Sequence, residues 1–102
     1  MAKPAPGDSA FEVEWWPDNA KARRIMADPD HDLSTLDSEV RYFPSKGLAI
    51  GFAKRVARRS IFASAMVRAV TFSRYGFWEH GDTSIVEVTM NTNTGAVEVF
   101  NG

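Results

Sequence analysis

The chain has 102 residues, of which 44% are hydrophobic and 25% charged, enough for one globular domain and against general disorder. The absence of cysteine excludes disulfides, thiolate zinc sites, iron–sulfur clusters and thiol nucleophiles, and no apolar run reaches the roughly 20 residues that span a bilayer, so a cytoplasmic protein with no membrane partner is expected. The net charge of −1 conceals a sorted layout: residues 1–40 hold four basic and nine acidic groups, residues 41–76 eight basic and no acidic ones, and residues 77–102 four acidic and no basic ones.

Residues 1–9, with two prolines and a glycine, read as a flexible arm that lacks the apolar middle of a secretory signal, and residues 10–102 as a single domain. Phe11, Val13 and Trp15 alternate with Glu12 and Glu14, the pattern of a half-buried strand that Pro17 ends. Asp18 then stands where the cap of a short helix over about 19–27 belongs. Asp28 to Ser38 is polar and turn-like, and Val40 to Phe43 reads as a short strand stopped by Pro44.

The clearest element is an amphipathic helix over 45–59. Ser45 stands at the cap position, and Leu48, Ala49, Phe52, Ala53, Val56 and Ala57 fall on one arc at 100° per residue. Lys54, Arg55, Arg58 and Arg59 fall on the other side, with Gly47 and Gly51 beside them. Residues 63–75 read as a strand whose start could prolong the helix. In it Ala65, Val67 and Ala69 offer a small-residue face for helix packing, opposite Met66, Arg68, Val70, Phe72 and Arg74. Val86, Val88 and Met90 alternate with Ile85, Glu87 and Thr89, and Asn91 to Gly95 is a hairpin signal that leads to Val97 and Val99 on the inward face. The last strand is expected at a sheet edge. These elements predict an α+β fold: an antiparallel meander sheet, one main amphipathic helix packed on a face, and an N-terminal strand–helix unit. The other face, with Met66, Val70, Phe72, Ile85 and Phe100, is too apolar to be fully wet. It calls for a cover from Trp15, Trp16 and the N-terminal unit, or from a second subunit.

Four groups of residues bear on function. The cationic helix residues Lys54, Arg55, Arg58 and Arg59, extended by Arg41 and Lys46, form a candidate nucleic-acid contact, with glycines that would allow close approach. The same residues serve equally as a solvated face or as partners for the acidic ends, the readier outcome in a chain sorted this way. A pI near 6.1 also lies below that of most nucleic-acid binders. Asp28, Asp30, Asp32 and Glu39 share offsets with a calcium loop, but Leu33 stands where that loop needs glycine, and aspartates after a helix also make turns. Glu79, His80 and Asp82 bring two carboxylates and an imidazole into one loop, the minimum for acid–base chemistry, although adjacent strand residues point apart. Trp15 and Trp16 also point apart, so one enters the core and the other is left for the opposite face. The two histidines, His31 and His80, have no metal-ligand spacing, and no motif implies a cofactor.

The leading expectation is a small non-enzymatic interaction module, homodimeric through a sheet face or edge. Its contacts would be Trp16, Phe72, Ile85 and Phe100, flanked by Arg68 and Glu87. A nucleic-acid binder using the basic helix face is the first alternative, and an enzyme or ligand-binding protein with a pocket near residues 75–82 is the second.

Overall fold

The computed structural model describes residues 3–30, 32–81 and 85–101. His31 and Asp82, both named above, lie outside the described residues. The strands are β1 (Ser9–Trp15), β2 (Glu39–Phe43), β3 (Ser64–Phe72), β4 (Trp78–His80), β5 (Val86–Met90) and β6 (Val97–Asn101). The helices are α1 (Ala20–Ala27) and α2 (Lys46–Ala57), with a single 3₁₀ turn at Leu33–Thr35. All strands join one antiparallel sheet in the order β2-β1-β3-β5-β6, with β4 also pairing β3. The fold is therefore α+β, an open sheet with the main helix packed on one face. The N-terminal strand is part of this sheet, seated between β2 and β3.

Strand alternation decides which side chains meet α2. Val13 and Trp15 of β1, Ala65 and Val67 of β3 and Val86 and Val88 of β5 face Ala49, Ala53, Val56 and Ala57 of the helix, all of them buried. The alanines on both surfaces let the helix lie close to the sheet. Ser45 caps α2 by accepting from the Leu48 backbone N–H, as its position predicts. The helix ends sooner than expected: residues 60–63 turn tightly, with Ala63 in the left-handed region at φ 53°, and β3 begins at Ser64. Leu48, at the margin of the apolar arc, is 58% exposed and lies outside the core.

One further local reading is corrected. Asn19, not Asp18, caps α1, because its Oδ1 accepts from the Ala22 N–H at 2.9 Å while the Asp18 carboxylate is engaged by Arg23 at 2.8 Å. That exposed pair also holds Asp18 below the usual carboxylate range, chiefly through the hydrogen bond from Arg23. At the N-terminus, the Gly7 N–H donates to the Phe72 carbonyl and the Phe72 N–H to the Asp8 carbonyl, so backbone pairing with β3 starts just before β1. The hairpin after β5 forms as read, with Gly95 at φ 76° and Asn91 Oδ1 accepting from the Asn93 and Thr94 N–H groups.

Candidate functional site

Two surfaces concentrate polar chemistry, one on each side of the slab. The first is the groove where α2 meets β2. Position 41 of β2 faces the helix side, and positions 52, 55, 56 and 59 recur along the α2 flank nearest to it. Arg41, Arg55 and Arg59 thereby line a groove floored by Phe43, Phe52 and Val56, with a volume of about 360 Å³. It continues into a space of about 450 Å³ toward Trp15, Pro17, Asp18 and Glu39. The Arg41 and Arg55 guanidinium groups lie over the Phe52 ring at 5.2 and 5.7 Å from its centroid, and Trp15 and Phe43 pack against the same ring.

The expected pairing of the basic middle with the acidic ends does not occur here. Among the described residues, the ion pairs are Lys21–Asp37, Arg23–Asp18, Arg68–Glu14 and His80–Glu12. Arg41, Lys46, Lys54, Arg55, Arg58 and Arg59 take part in none of them. The reason is geometric: Glu12, Glu14, Glu87 and Glu98 fall by alternation on the sheet face opposite α2. Lys54 and Arg58 extend the cationic surface along the exposed side of α2, while Lys46, in the first turn, does not line the groove. Gly47 and Gly51 accompany the basic residues, and a Cβ at either would meet open space.

The second surface is the helix-free face. Glu12 is 6% exposed there, and His80 Nε2 approaches its Oε1 at 2.9 Å. His80 sits opposite Val70 and Glu12 opposite Arg68, so this pair reaches diagonally across β3. Tyr42 is the direct cross-strand neighbour of Glu12. Burial first, then the Glu12 charge and a hydrogen bond to it, raise the Tyr42 hydroxyl above the ordinary tyrosine range. Glu14 accepts from the Ser38 hydroxyl at 3.0 Å and lies 3.6 Å from Arg68, whose Nε is buried without a hydrogen-bond partner. The Trp78 ring stacks on Tyr42 at 5.3 Å and meets Phe72 edge-on at 5.0 Å.

Toward β2 and β4 this face is covered by its own aromatics, not by Trp15, Trp16 or the N-terminal helix, while Ile85 and Phe100 at the β6 end stay exposed. Trp15 is in the core and Trp16 packs on Phe62 beyond the strand ends. The expected contact set is accordingly split: Trp16 and Phe72 lie at opposite ends of β3, and Arg68 is engaged by Glu14. Only Ile85, Glu87 and Phe100 gather near the β6 edge. His80 finds its partner in Glu12, 68 positions away, while Glu79 sits opposite Thr71 and is directed to the other side of the sheet. An apolar hollow of about 240 Å³ beside Trp78 is lined by Pro4, Asp8, Phe43 and Pro44 but reaches neither Glu79 nor His80. Asp28 Oδ1 accepts from the Asp30 N–H and Asp32 caps the 3₁₀ turn through Ser34, whereas Glu39 lies in β2. Among the described residues, no three histidine or acidic side chains come together as a metal site, and no helix is long and apolar enough to cross a membrane. The chain matches no known family model, no curated protein and no solved structure.

Proposed function

We propose that this protein binds nucleic acid through the groove between α2 and β2, with backbone phosphates held by Arg41, Arg55 and Arg59. One observation carries the reading: guanidinium groups from two elements converge on a groove and have no carboxylate partner among the described residues. Arginine suits this task because its planar fork matches phosphate oxygens, and stacking on Phe52 orients it in advance. Lys54 and Arg58 lengthen the track, and the two glycines between the basic side chains leave room for a sugar–phosphate backbone. The low overall pI is no obstacle, since a ligand responds to the local field: Glu12, Glu14, Glu87 and Glu98 lie on the far face, and Glu39, at the groove's end, pairs with none of the three arginines.

Fluorescence anisotropy with labelled single-stranded and duplex DNA and RNA, repeated across a salt series, tests the reading. Binding is expected to weaken steeply with salt. Each of Arg41→Ala, Arg55→Ala and Arg59→Ala should lower the slope of log affinity against log salt by about 1. Lys21→Ala, which removes a cation already paired with Asp37, should leave the slope unchanged. Absent or salt-insensitive binding, or equal effects of Lys21→Ala and Arg55→Ala, overturns it.

A further inference from the structure

We infer that two copies of this chain join through the free edge of β6, forming one continuous antiparallel sheet about a two-fold axis centred on Val99. The Asn91 N–H donates to the Ala96 carbonyl at 2.8 Å, and the β5–β6 register alternates from that pair. Glu98 and Phe100 therefore turn their backbone groups toward β5, and Val97, Val99 and Asn101 turn theirs to the open edge. Sheet edges of this kind are ordinarily guarded by lysine, proline or a bulge. The β6 sequence VEVFN has neither residue, pairs with β5 without a bulge and carries a single charge, Glu98, which the proposed pairing sets opposite Phe100. At the opposite edge, β2 carries Glu39 and Arg41 and is followed at once by Pro44.

The strand is complementary to itself in one register. With Val99 on the axis, Val99 pairs with its own copy and Val97 of each copy with Asn101 of the other, so every outward group of the strand is satisfied. Glu98 of each copy then faces Phe100 of the other, which keeps the carboxylates apart and covers a ring that is 51% exposed in the single chain. A register centred on Glu98 would set like charges opposite each other and leave Asn101 unpaired. A two-fold axis perpendicular to the sheet keeps both α2 helices on the same side. The pairing itself needs no nucleic acid, and its tests contain none.

Sedimentation equilibrium of the full chain over a wide concentration range is expected to show a monomer–dimer equilibrium. Phe100→Glu places a carboxylate opposite Glu98 and should weaken association roughly tenfold, whereas Phe100→Lys places an ammonium there and should preserve it. Phe100 also pairs with Glu87 inside the chain, so circular dichroism of each variant is compared with wild type, and the exchange readout is independent of both. Amide exchange gives a second readout in the unmodified protein: the Val99 N–H should become more protected as concentration rises, while the Glu98 N–H, bonded within the chain, should not change. A strict monomer at high concentration, equal association of the Glu and Lys variants, or Val99 exchange independent of concentration overturns the inference.

Discussion

Burying the Glu12 carboxylate against an apolar strand would be strongly unfavourable without partners, and two strands supply them: His80 from β4 and Tyr42 from β2. Tyr42 reports on this cluster. Its raised pKa means that the folded state holds the phenolic proton more tightly than the unfolded chain does. The associated stability is fully present below the unfolded tyrosine pKa, near 10, and is lost as pH rises through the higher folded value. Ultraviolet titration should show a phenolate phase above the ordinary range that Tyr42→Phe abolishes. Glu12→Gln should move it back down, because the charge opposing ionisation is gone. A titration curve unaltered by Tyr42→Phe contradicts this assignment.

The helix α2 was legible because its cues agree. Ser45 caps it, apolar residues recur with helical spacing, and the alanines match the small side chains of β3. Its two glycines are the exception. Each costs about 1 kcal/mol relative to alanine in a helix interior, and a methyl group at position 51 would meet nothing within the protein. Gly51→Ala should therefore raise unfolding stability by about 1 kcal/mol in denaturant titrations. On the nucleic-acid reading, the same variant should bind more weakly than wild type, since the added methyl stands where a phosphate backbone would approach. Stabilisation with unchanged affinity would separate the glycine from the binding surface. The α1 cap was less legible: Asp18 and Asn19 are adjacent and chemically equivalent as caps, and only Arg23, one turn further on, decides between them.

Taken together, the elements make a two-layer slab with a radius of gyration of 14.9 Å, larger than the about 13 Å usual for a chain of this length. One helix on one side of a six-stranded sheet leaves the other side to its own aromatics, and leaves stability unevenly spread. β1 and β3 are paired on both sides, whereas β2 and β6 have a free edge and α1 packs on little beyond the 3₁₀ turn. Hydrogen exchange at low concentration should find the slowest amides in β3 and β1, with those of α1 exchanging orders of magnitude faster. Uniform protection across α1 and β3 would contradict that gradient. The slab also separates charge, with cations on the helix side and most strand glutamates on the bare face. The proposed nucleic-acid groove and the proposed edge pairing would thus use different surfaces.

By itself the sequence determined the α+β class, the α2 helix, the inward faces of β1, β3 and β5 and the hairpin at Asn91–Gly95. Each of these follows from periodicity or turn chemistry within a few residues, where chain geometry fixes the outcome. Tertiary structure decided what those elements expose. That Glu12 meets His80, that Arg55 and Arg59 face Arg41 across Phe52 with none of the three in an ion pair, and that Trp78 rather than Trp16 packs on the bare face all depend on strand order. Strand order is set by which apolar surfaces pack best together, a property of the assembled sheet that no local stretch of sequence carries.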